Sequence, residues 1–279
     1  MSEQPESLFD EIFADSWWSK QKNFPPCDEW KAEIEKHLRF MRDKGFLKMI
    51  KSDLQSREYE SFLSEIFAAY FIENVLGFEV TRWNPQTTKQ GHDVECCIKD
   101  GAGGEIFCEV KSPGWPGQLT RDEIQSGRAK LAKYCKPGEA RYVAPYQHIR
   151  QTIGKAYAKF PASKQNLLIV TDDLFQPIAM DQLVTWGPHK MPMNISYALD
   201  NTNKDRYGGI GCFKTKDYEN LGGILFLNDR FLPKFFAWFE ANANARMPLS
   251  RQFVARALKL NEERTRSAEH DYIKHNGID

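Results

Sequence analysis

No stretch of this sequence is apolar for long enough to cross a membrane as a helix. The longest apolar run, around Ile66 to Ile72, falls far short of the roughly 20 residues a span needs. The start, Met1-Ser2-Glu3-Gln4-Pro5-Glu6, lacks the basic and apolar regions of a secretory signal, so a cytoplasmic protein with no membrane partner is expected. The six cysteines (Cys27, Cys96, Cys97, Cys108, Cys135, Cys212) form no Cys-x-x-Cys pair, which argues against a disulfide framework or a four-cysteine iron–sulfur site. Three of them fall in apparent core strands, where a thiol packs as a small hydrophobe. No internal repeat and no low-complexity tract is present. Net charge is also lacking, with 38 basic and 38 acidic residues.

The zero is a balance of unequal parts. From Lys111 to Lys164 there are eleven Lys or Arg against three Asp or Glu, an excess of eight that the rest of the chain offsets. Such a stretch suits a polyanionic substrate, or else a solvated helix face. With 41% apolar and 27% charged residues, the 279 positions suffice for one large core, or one core and a small appendage.

What the chain does have is concentrated in two short pieces. Gly91-His92-Asp93-Val94-Glu95 is followed, sixteen residues after Asp93, by Glu109-Val110-Lys111. Alternation in a strand puts Glu109 and Lys111 on one face, with Ile106, Cys108 and Val110 on the other. By the same rule Asp93, Glu95 and Cys97 share a side, with Val94, Cys96 and Ile98 opposite. Between them, Lys99-Asp100-Gly101-Ala102-Gly103-Gly104 supplies the positive φ of a hairpin turn. A hairpin would bring Asp93 and Glu109 side by side.

Upstream, residues 1–56 read as an N-terminal helical segment, with Asp28 capping a helix from Glu29 towards Ile50. A second helix spans Arg57 to Leu76 and ends at Gly77. It is apolar on most sides, which suits burial against a sheet. Glu65 lies in line with Phe62, Ala69, Ile72 and Leu76 and is expected to point inward, paired either to a lysine or to a metal ion. Phe78 to Trp83 reads as a strand. After the Glu109 strand come a basic insertion at 112–144, with a helix from Leu119 to Tyr134, and an amphipathic helix from His148 to Phe160. The apolar run Asn166 to Thr171 follows as a buried strand. In the extension 172–279, Gly222 to Leu227 reads as a strand, Arg230 to Ala241 as an amphipathic helix, and Ser250 to Leu260 as another. The tail after Asn261 reads as helical or loose.

This order and these residues resemble the PD-(D/E)XK nuclease superfamily, the restriction-endonuclease-like fold. The likeness covers Glu58 to Thr171 and rests on Glu65 in the first helix, Asp93 on the second strand, and Glu109-x-Lys111 on the third. It implies an α/β protein with a mixed-sheet core ordered αβββαβ at 57–171, flanked by helices. The implied activity is that of a metal-dependent nuclease, an endonuclease acting on DNA before RNA, in a restriction, anti-phage or toxin-like setting. Mg2+, with Mn2+ as substitute, would be held by Asp93 and Glu109, with the Val110 carbonyl as a third donor. Lys111 would orient or deprotonate the attacking water, and Glu65 would hold a second ion or its water; Glu95 would reach the same ion or solvent. Arg128, Lys133, Gln147, Arg150 and Lys155 are the expected nucleic-acid contacts, Arg150 first among them for its bidentate fork. Many such nucleases dimerise, so a homodimer is among the expected states. His92 stands where the proline that names the motif belongs. Two other readings compete. One is a non-catalytic nucleic-acid-binding or assembly protein on the same fold. The other is a metal-free acid–base enzyme, which the neighbouring lysine and basic stretch disfavour.

Overall fold

The computed structural model describes residues 7–13, 28–56, 59–86, 94–112, 145–172, 211–228 and 236–276. The helical N-terminal part comprises α1 (Leu8–Phe13), α2 (Asp28–Asp43) and α3 (Leu47–Leu54), followed by α4 (Tyr59–Asn74). The single helix expected from Glu29 to Ile50 is two, because Gly45 takes a left-handed conformation (φ 79°) and turns the chain between α2 and α3.

Three antiparallel strands come next: β1 (Val80–Trp83), β2 (Cys96–Lys99) and β3 (Glu105–Lys111). Helix α5 (Pro145–Tyr157) leads to β4 (Gln165–Asp172), which is parallel to β3 and to β5 (Gly223–Asn228). Strand β6 (Phe236–Ala241) returns antiparallel to β5, and α6 (Arg251–Asn276) ends the described chain. The six strands form one mixed sheet in sequence order, so the protein is α/β with helices on both faces.

Alternation along the strands sorts the two cores. Ile106, Cys108 and Val110 of β3 face the side covered by α1–α4 and α6, with Cys96, Ile98, Leu167, Ile169, Leu225 and Leu227. Phe107, Cys97, Leu168, Val170, Ile224 and Phe226 face α5, through Ile149, Ile153 and Ala156. Val94 also packs on the α5 side, next to Cys97 and away from Cys96 and Ile98. The expected alternation therefore breaks at Glu95, a bend just before β2 begins.

The β2–β3 hairpin forms where Asp-Gly and Gly-Gly call for it. Gly101 and Gly103 have positive φ, and Asp100 Oδ1 accepts hydrogen bonds from the amides of Ala102 and Gly104. Ser250 ties this turn to α6: its hydroxyl donates to the Asp100 carbonyl and accepts from the Phe253 amide as an N-cap. Beyond α4, Gly77 turns the chain at φ 72°, and Arg256 of α6 donates to the Leu76 and Gly77 carbonyls.

One expected element is wrong in kind. Arg230 to Ala241 reads as a helix in sequence, yet 236–241 is the edge strand β6. Ala237 and Phe239 turn inward and Trp238 is only partly buried, a period of two that a six-residue aromatic window hides. Both outer edges of the sheet are closed by side chains. Glu73 and Lys44, themselves an ion pair, take the amide and carbonyl of Val80 on β1. Asn261 of α6 takes the amide and carbonyl of Phe239 on β6.

Candidate functional site

Strand β2 stops at Cys96, so its ladder with β3 covers only Glu105 to Cys108, while β4 continues beside β3 through Lys111. Glu109, Val110 and Lys111 thus have a strand neighbour on one side only among the described residues. Glu95 fills the other side with its side chain, whose Oε2 accepts the Val110 amide at 2.7 Å. Its backbone carbonyl accepts from the Asn84 amide, which holds the bend in place. A carboxylate therefore stands where a further strand residue would have been.

Around this gap stand two carboxylates, Glu95 and Glu109, and two ammonium groups, with a third carboxylate, Glu65, within electrostatic range. Glu109 is fully buried, and its Oε1 lies 2.6 Å from Lys111 Nζ and 2.7 Å from Lys159 Nζ. Glu95 Oε1 lies 3.5 Å from Lys111 and 3.8 Å from Lys159. Glu65, on α4, is half-buried and within the electrostatic reach of Glu95, Lys111 and Lys159. Lys159 belongs to the turn after α5, where its amide donates to the Ala156 carbonyl.

Burial works against the charge of Glu65 and Glu95. It pushes Glu65 up to about 8, with the Glu95 charge adding to the rise and the two lysines opposing it. Burial likewise pushes Glu95 up to about 8, helped by its hydrogen bond to Glu109 and by that group's charge. Lys111 is held above the ordinary lysine value: burial works against its charge, but Glu95 and Glu109 outweigh it. Glu109 Oε2 is buried and accepts no hydrogen bond from a described residue. The cluster is thus rich in buried carboxylate oxygen that protein donors satisfy only in part.

Carboxylate oxygen is the donor a hard cation takes, and Mg2+ uses one or two carboxylates and completes its octahedron with water and substrate oxygens. Among the described residues, no three acidic, His or Cys side chains stand together as an ion-holding group. Glu109 and Glu95 are the pair in closest contact, and a third protein donor would come from outside the described residues.

Of the residues singled out in the sequence, Glu109 and Lys111 are in contact, and Glu65 interacts with Lys111 electrostatically. Asp93 and His92 lie outside the described residues, as do Arg128 and Lys133, and so does the Gln147 side chain. The Val110 side chain faces the α4 core and its amide is committed to Glu95. Arg150 sits on α5 beside Tyr218, which it hydrogen-bonds, and near Cys212. Lys155 is exposed. Glu73, also on α4, is occupied by the β1 edge.

Of the cluster, the sequence reading leaves Glu95 between ion and solvent and does not name Lys159. Glu95 was expected at the ion or in solvent; it is 7% exposed and bonded to Val110. Lys159 was not singled out at all, although it lies one helical turn beyond Lys155, just past the end of the amphipathic α5. The signal available was that spacing, together with the helix stop at Pro161.

Comparison with protein-family models, curated proteins and solved structures finds no match to this chain.

Proposed function

We propose that this protein is a metal-dependent nuclease of the restriction-endonuclease-like kind, hydrolysing phosphodiester bonds in DNA in preference to RNA, as an endonuclease. One observation carries the reading. A buried glutamate and a lysine two residues on, adjacent on a strand end, share a gap in the sheet with two more carboxylates and a second lysine. The αβββαβ order of α4 to β4 supports it as well.

In this reading Glu109 and Asp93 hold a Mg2+ or Mn2+ ion, with the Val110 carbonyl as a further donor. The cation, when bound, supplies Lewis acidity and makes hydroxide available near neutral pH. Lys111, on the same strand face as Glu109, orients the attacking water and offsets charge that builds on the phosphoryl oxygens. Glu95 holds the end of β3 in shape through the Val110 amide and keeps its carboxyl against Glu109. Glu65 borders the same gap from α4 and accepts a proton or a second cation. Arg128, Lys133, Gln147, Arg150 and Lys155 remain proposed contacts to the nucleic-acid backbone.

A second reading is a nucleic-acid-binding or assembly protein without turnover. It is favoured by the double ion pair on Glu109, which already neutralises that carboxylate without a metal. Cleavage assays with Mg2+ or Mn2+ across single- and double-stranded DNA and RNA separate the two. Metal-dependent cutting supports the nuclease. Binding without cutting under every condition supports the alternative.

A further inference from the structure

We propose that Asn84 is a positioning residue for the charged cluster: its left-handed backbone ends β1 at the rung that holds Glu95, and so places the carboxylate that shapes the end of β3. What this means for cleavage rests on the metal-dependent nuclease reading; what it means for β3 does not.

Strand β1 reaches this rung through a bulge. Val80 stands opposite Ile98 and Arg82 opposite Cys97, so β1 carries one residue more than β2 over that stretch. The extra residue resets the alternation. Arg82 turns over the Phe107 ring on the α5 side, at 5.5 Å, and Trp83 enters the α4-side core opposite Cys96. Asn84 is the next residue, and its amide donates to the Glu95 carbonyl at 2.8 Å.

Both strands turn at this rung. Asn84 has φ 46°, the sole positive φ at a non-glycine among the described residues, and Pro85 follows with no amide to donate. Strand β1 leaves β2 here. Opposite it, Glu95 bends out of the β2 direction, and its carboxylate turns back to accept the Val110 amide at 2.7 Å. The Glu95 backbone is held from one side by Asn84, and its side chain spans to β3 on the other. Moving the rung moves the carboxylate that lies against Glu109.

Residue type follows from the backbone. Asn tolerates a left-handed φ better than most residues with a Cβ, and β-branched residues tolerate it worst. The Asn84 side chain is exposed, so conformation rather than a buried contact accounts for asparagine here. Glycine should therefore serve in its place, and valine should not.

The test uses the full chain as wild type, Asn84→Gly and Asn84→Val, and reads amide hydrogen exchange at Val110 by NMR beside DNA cleavage and a thermal melt. Asn84→Val should speed Val110 exchange by roughly tenfold, as expected for losing one hydrogen bond to a charged acceptor. Leu168, buried in the centre of β4, should exchange as before, which separates a local change from general loosening. The same variant should lower kcat at least about tenfold with KM for DNA little changed, because the reacting groups shift and the binding surface does not. Asn84→Gly should match the wild type in exchange and in kcat. Val110 exchange in Asn84→Val equal to the wild type, or Asn84→Gly impaired as far as Asn84→Val, would overturn the inference and leave the nuclease reading in place. A wild type that cuts no nucleic acid removes the nuclease reading, and Val110 exchange then still decides how Glu95 is placed.

Discussion

The Val110 amide donates a 2.7 Å hydrogen bond to Glu95 Oε2, and this contact fixes the shape of the site. Among the described residues it takes the place of a strand partner beside the end of β3, and it keeps the Glu95 carboxyl against Glu109. A site of charged groups is thus built into a sheet edge by one side chain acting as backbone.

Glu95→Ala leaves the Val110 amide unpartnered in a buried place and should cost about 1–3 kcal/mol of stability. Glu95→Gln keeps an acceptor oxygen and should cost clearly less at pH 7. Urea unfolding of both variants checks this. An alanine variant as stable as the wild type would show that the contact holds nothing in place.

Stability of the metal-free protein should fall as pH rises from 6.5 through about 8. Folded Glu65 and Glu95 keep protons up to about 8 that the unfolded chain releases near 4.5. In that interval the folded state binds more protons, so raising the pH favours unfolding. His37 acts with the opposite sign: burial lowers it from 6.5 to about 4, so its contribution grows with pH and is complete above 6.5. The upper window therefore belongs to the two glutamates among the described groups. Chemical denaturation at pH 6.5 and 8.5 should show the loss, and Glu65→Gln with Glu95→Gln should flatten it. A slope that survives both substitutions would place its origin elsewhere.

Asn261 closes the β6 edge by taking both the amide and the carbonyl of Phe239. Asn261→Ala should cost about 1–3 kcal/mol and open an edge able to pair with another chain. Thermal melts and light scattering report the two effects. Unchanged melting and unchanged size would mean that water serves Phe239 as well as the amide does.

Much of this was legible from local pattern. Glu109 and Lys111 share a face because a strand has a period of two, and the Asp100 turn forms because its glycines tolerate positive φ. Glu65 is half-buried because it shares a helix line with the buried Ala69, Ile72 and Leu76. The remainder depended on distant parts of the chain. Alternation past Cys96 fails because β2 ends there, a fact set by pairing with β3 and by the Asn84 bond to the Glu95 carbonyl. Lys159 reaches Glu109 from fifty residues away, a closeness that only the packing of α5 on the sheet creates. Phe236 to Ala241 is too short for its period to be read, and pairing with β5 decides it.

The central claim is tested most directly by cleavage of DNA with Mg2+ by the purified chain, beside Asp93→Ala and Lys111→Ala. The account predicts metal-dependent cutting by the wild type, abolished by a chelator, and reduced at least about a hundredfold in each variant with thermal melting preserved. Undiminished cleavage by both variants, or no cleavage of any nucleic acid by the wild type with either metal, would contradict it.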